Sequence, residues 1–181
     1  MVEALTHKSF LKNTVIQNAN LNDYERLEFL GDTVLNFLLA RFFFVTNKNS
    51  TVKQRPNWLH KMTSLAQTNA LLNLIVIESG IHNYIQFSPE NEAHRRLIEI
   101  SRQSVLSKVR KISTNELGKK TKFEQVMLAI DFYDIYSQNN KIFADVFESL
   151  IAAVYLDCGD MERTWKVLSS LIMPYIEVYV D

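Results

Sequence analysis

The chain has 181 residues, 47% of them hydrophobic, with 20 basic and 20 acidic side chains. That suits one ordinary domain with a sizeable core, and it excludes a disordered chain. A single cysteine, Cys158, excludes an internal disulfide and points to a reducing, intracellular setting.

Residues 2–13 are mixed and polar, unlike a signal peptide. Strand-like alternation is nearly absent, and apolar residues recur at helical spacing almost everywhere. Leu27, Leu30, Val34 and Leu38 form one stripe, which predicts a helix over 24–45 with Asp23 as its N-cap. The longest apolar patch, 37–45, is interrupted by Arg41 and is too short to span a bilayer, so no membrane partner is expected. A polar loop over 46–56 follows. Residues 58–80 read as one or two helices with Gly80 as a C-cap. Pro89 opens a charged helix to about 111, a loop covers 112–122, and 123–136 is again helical before the Asn139-Asn140 turn. An apolar helix over 142–157 ends at Gly159, and a last one over 161–179 carries Pro174, which is expected to kink or split it. The pattern describes one all-α domain over 1–181, with no repeat and no internal boundary.

Charge is unevenly spread. Residues 108–124 carry six bases against two acids, whereas 125–181 carry nine acids against three bases. The basic stretch is either a solvated loop or a contact for a polyanion.

Two acidic segments carry the chemistry. Glu25, Glu28 and Asp32 stand at i, i+3 and i+7 on one helix face, and Asp145 and Glu148 at i, i+3 on another. Both faces adjoin apolar stripes, where unpaired carboxylates are costly. Together Glu28, Asp32, Asp145 and Glu148 would form an oxygen cage for Mg²⁺ or Mn²⁺, which points to phosphodiester chemistry. Spacing lets each pair converge; it does not bring the two helices together, and acids at i, i+3 are commonly solvated. Gly31 costs about 1 kcal/mol in mid-helix, a cost tolerated where a backbone or ligand must come near, and Ala152 extends the second acidic row with a small side chain.

Other chemistries find less support. His7, His60, His82 and His94 lack zinc-type spacing, Ser9 and Ser149 lack an obvious base, and four isolated glycines exclude the usual phosphate-binding loops. Trp58, Trp165 and the tyrosines read as packing residues, and Cys158 as a helix-end residue.

The run Glu25-Arg26-Leu27-Glu28-Phe29-Leu30-Gly31-Asp32 resembles the signature of the ribonuclease III family. Ala4-Leu5-Thr6-His7-Lys8-Ser9 is similar to the family's early motif, and the segment from Asp145 to Asp157 to its second acidic helix. The tail from Glu162 to Glu177 and the stretch from Asn83 to Glu90 are similar to the second ribonuclease III domain of Dicer-type enzymes. The resemblance implies an all-helical bundle that dimerises or pairs with a sister domain. It implies Mg²⁺-dependent cleavage of double-stranded RNA, one strand per domain, leaving staggered ends with a 5′-phosphate and a 3′-hydroxyl. Residue by residue, Glu28, Asp32, Asp145 and Glu148 match the metal-binding acids. Glu25 matches an acid with a structural or dimer-face role. Lys141 stands where Dicer-type domains often have a lysine, which implies that it contacts the scissile phosphate or steadies the acids. Phe29 and Leu30 are candidates for the pairing surface, or else core. Thr33 and Asn36 depart from the signature at positions that are not ligands. Met1 sits almost on the early motif, so the chain reads as a piece of a larger Dicer-like protein. Two other readings stand beside this one: a non-catalytic relative that binds RNA or a ribosome, and a helical scaffold with no RNA role.

Overall fold

The computed structural model describes residues 2–13, 22–46, 55–88, 96, 99 and 141–177. Among these, every regular element is helical; strand-type pairing is limited to one parallel bridge between Thr6 and Gln86. The helices are α1 (Lys8–Asn13), α2 (Glu25–Thr46), α3 (Pro56–Ala66), α4 (Asn69–Glu78), α5 (Lys141–Cys158) and α6 (Met161–Ile176), with short 3₁₀ turns at Glu3–Leu5 and Ile81–Tyr84. The expected helices over 90–111 and 123–136, the 112–122 loop and the 139–140 turn lie outside the described residues, apart from helical backbone at Arg96 and Glu99.

Local signals account for the boundaries. The Asp23 carboxylate accepts from the Glu25 N–H at 3.1 Å at the start of α2. Pro56 opens α3 at its first turn, where a missing N–H costs nothing, so the last residue of the expected loop is helical; residues 47–54 of that stretch lie outside the described residues. The 58–80 segment is two helices, because Thr68 leaves the helical region and caps α4, accepting from the Leu71 N–H. Gly80 and Gly159 both take positive φ, 76° and 60°, and so turn the chain after α4 and α5. Asp160 caps α6 by accepting from the Arg163 N–H at 2.9 Å. Pro174 does not split α6. It lies in the last turn, and the helix runs on to Ile176.

The core forms where α2 meets α5. Val34, Leu35, Leu38, Leu39 and Phe43 face Phe143, Val146, Phe147 and Ile151, all buried. Burying each large apolar side chain contributes about 1.5–3 kcal/mol before entropy is charged against it. Helix α4 packs on α5 and is buried all round from Ala70 to Ile77, a stretch that is apolar except for Asn73. Helix α6 is amphipathic: Thr164, Leu168, Ile172 and Ile176, four apart, are its buried row. Trp165 stacks on Phe42 of α2, with ring centroids 5.1 Å apart, and Trp58 meets Phe43 edge-on, so both tryptophans are packing residues. Helix α2 is long and apolar enough to cross a bilayer, with a mean hydropathy of 1.4 over its most apolar window. Here its buried face is the centre of the domain, and Glu28, Asp32 and Arg41 interrupt the rest.

One contact sets how α2 crosses α5, and another ties the N-terminal turn to α5. A β-carbon built on Gly31 would stand 1.8 Å from the Glu148 carbonyl oxygen, so the two backbones touch where only hydrogen fits. Ser149 is fully buried and donates to the Ala4 carbonyl at 2.6 Å, tying the N-terminal turn to α5. Ser149 is therefore a structural serine. His7 sits between Tyr24 and Phe87, and His82 is buried against the Val76 carbonyl and Glu99.

Candidate metal and active site

The Gly31–Glu148 contact sets the first turns of α2 and α5 side by side, and the acids meet there. One carboxylate oxygen from each of Glu28, Asp145 and Glu148 lies within 4.8 Å of the other two. An octahedral ion with bonds of about 2.1 Å holds its ligand oxygens about 3–4.2 Å apart. Small side-chain adjustments would therefore bring the three onto one ion.

Asp32, one turn along α2 from Glu28, is exposed and stands outside this tight group. Its charge still reaches the site: after burial, Asp32 is the strongest influence raising Glu148. Glu25 is also outside the group, on the protein surface, where it pairs with Lys8 at 2.8 Å. Lys141, at the start of α5, is inside it. Its Nζ donates to Glu28 Oε1 at 2.7 Å and lies 3.0 Å from Asp145 Oδ1.

The electrostatics are those of anions gathered before enough positive charge is present. Burial, then the charges of Asp32, Asp145 and Glu28, push the Glu148 carboxyl up to about 8. Burial pushes Asp145 up to about 6, with the nearby Lys141 opposing the rise. Lys141 is held above the ordinary lysine range, chiefly by its hydrogen bond to Glu28. Like charges about 4 Å apart repel by about 4 kcal/mol at an effective dielectric of 20. One ammonium does not neutralise four carboxylates. Asp145 Oδ1 shows the deficit: it is buried, and the Lys141 ammonium 3.0 Å away, shared with Glu28, is the cation it meets. Three converging carboxylates around one shared ammonium suit a hard divalent cation.

Tyr24, read from the sequence as a packing residue, belongs to the core beside the site; burial, together with Asp145 and Glu28, raises its phenol well above the ordinary value. Phe29 and Leu30, adjacent in sequence, divide: Leu30 packs partly on the core, whereas Phe29 is 80% exposed.

Acids from α2 and α5 meet on one locus of this helical fold, and the sequence comparisons give the family. The pattern of the ribonuclease III domain matches residues 25–159, a stretch that holds both acid-bearing helices. The chain belongs to the ribonuclease III domain family. It is 26% identical over 187 residues to Endoribonuclease Dicer-S of Xenopus laevis, covering 99% of this chain and 9% of that protein. It is 26% identical over 185 residues to Endoribonuclease Dcr-1 of Drosophila melanogaster, covering 99% of this chain and 7% of that protein. Against Ribonuclease 3 of Mycoplasma mobile it is 28% identical over 175 residues, covering 97% of this chain and 50% of that protein. The chain thus spans less than a tenth of the two longer relatives.

Proposed function

We propose that this domain hydrolyses the backbone of double-stranded RNA, with Mg²⁺ held by Glu28, Asp145 and Glu148 and with Asp32 completing the acidic set. The observation that carries the reading is the meeting of carboxylates from α2 and α5, with one oxygen each of Glu28, Asp145 and Glu148 within 4.8 Å of one another. When bound, the cation would polarise a phosphoryl oxygen and lower the pKa of water. Glu28 and Glu148 approach from different helices, so the locus is shaped by the α2–α5 crossing and not by a flexible loop. Burial of Asp145 keeps bulk water from one side of the site. Lys141, with its side chain 64% exposed, stands on the open side and steadies Glu28 and Asp145.

Duplex RNA would be read by its A-form shape and 2′-hydroxyls. One such site cuts one strand, so cutting both needs a second copy or a sister domain. The exposed Phe29 on the outer face of α2 is the proposed centre of that pairing.

The test is incubation of the folded domain with long duplex RNA in Mg²⁺ or Mn²⁺. Cleavage leaving 5′-phosphate and 3′-hydroxyl ends, lost in Glu148→Gln, is expected. No cleavage by a folded, paired protein in either metal would favour the non-catalytic interaction module.

A further inference from the structure

The position of Lys141 carries an inference beyond steadying the acids. Its ammonium lies 2.7 Å from Glu28 Oε1 and 3.0 Å from Asp145 Oδ1, on two of the three carboxylates that converge. A divalent ion bound by the same carboxylates would approach its ligand oxygens to about 2.1 Å, closer than the ammonium stands. Two cations sharing two carboxylates repel, and each also weakens the other's hold on them. They compete for one locus.

We propose that Lys141 is a resident stand-in cation: it holds the acid cluster together in the metal-free protein, and the divalent ion must displace its ammonium from Glu28 and Asp145 to bind. This rests on the metal-site reading above. Three features support the exchange. The lysine belongs to α5 itself, at its first residue, so it reaches Asp145 one turn on without any rearrangement of the fold. Its side chain is 64% exposed, so a flexible four-carbon stem can swing outward without opening the core. It bridges Glu28 and Asp145, two of the three converging carboxylates, the third being Glu148. A one-charge stand-in thus keeps the helices together and leaves Glu148 open to the incoming ion. The consequence is a weaker metal affinity than the acids alone would give, in exchange for a cluster that stays assembled without metal.

The experiment compares wild type with Lys141→Met and Lys141→Arg at one fixed pH, by thermal melting in EDTA and by calorimetric titration with Mn²⁺. In Lys141→Met the melting temperature in EDTA should fall, and Mn²⁺ should bind at least about tenfold more tightly and raise the melting temperature further than in wild type. Lys141→Arg, which keeps the charge, should stay near wild type in EDTA. Mn²⁺ binding to Lys141→Met with unchanged or weaker affinity would overturn the exchange while leaving the metal site standing. Absence of Mn²⁺ binding in every protein would overturn the metal site and the exchange together. Should Lys141→Met fail to fold in EDTA, Mn²⁺ should restore folding; a variant that stays unfolded in saturating Mn²⁺ would overturn the exchange, since the ion would then not replace the lysine.

Discussion

Replacing Glu148 by Gln should make the metal-free protein more stable while removing its response to metal. The Glu148 carboxyl is pushed from its ordinary 4.5 up to about 8, with burial the largest cause. Between those values the native state binds more protons than the unfolded chain, so stability falls as pH rises through this window. The full displacement corresponds to about 5 kcal/mol at pH 8. Glu148 keeps partial access to solvent, and a buried amide has its own desolvation cost, so about 2 kcal/mol is the realistic gain. At about 2–4 °C per kcal/mol for a domain of this size, Gln should raise the melting temperature in EDTA at pH 8 by about 4–8 °C. At pH 5 wild-type Glu148 is protonated in the fold, and most of the difference should vanish. Adding Mn²⁺ at pH 8 should stabilise wild type and leave the variant nearly unmoved. Scanning fluorimetry across this grid of pH and metal is sufficient. A variant no more stable than wild type at pH 8 in EDTA would refute the reasoning, because the carboxylate would then not be under strain.

Gly31→Ala sets helix propensity, worth about 1 kcal/mol in favour of Ala, against a clash with the Glu148 carbonyl at 1.8 Å. The clash is with backbone and should win, costing about 3 kcal/mol or more in urea unfolding and weakening Mn²⁺ binding as the acid pairs part; a neutral result would mean the helices do not touch there. Phe29→Glu changes an 80% exposed side chain, so melting should shift little. Sedimentation should instead show a loss of pairing, and an unchanged assembly would place the pairing face elsewhere.

The helical elements near the site were legible because their signals are local. Asp23, Gly80 and Gly159 sit where they were expected as a cap and as stops, and of the α2 stripe Val34 and Leu38 are buried while Leu27 and Leu30 are half-buried. Helical spacing also placed each acid pair on one face. It could not show that Glu28, and not Asp32, completes the tight group with Asp145 and Glu148, since that depends on the level at which α2 crosses α5. The crossing level is set by the Gly31–Glu148 contact, a property of two segments far apart in sequence. The bond from Lys141 to Glu28, 113 residues apart, was hidden for the same reason, although the lysine itself was marked by resemblance. Pro174 does not split α6, because a proline acts through the hydrogen bond and space it removes one turn earlier, and near a helix end few residues remain to be lost.

The most direct measurement is anomalous diffraction from crystals of the protein soaked in Mn²⁺. A manganese peak is expected between the carboxylates of Glu28, Asp145 and Glu148, with the Lys141 side chain moved off Glu28. An ordered cluster with all three side chains visible and no peak at saturating Mn²⁺ would contradict the metal site, and with it the proposed hydrolysis.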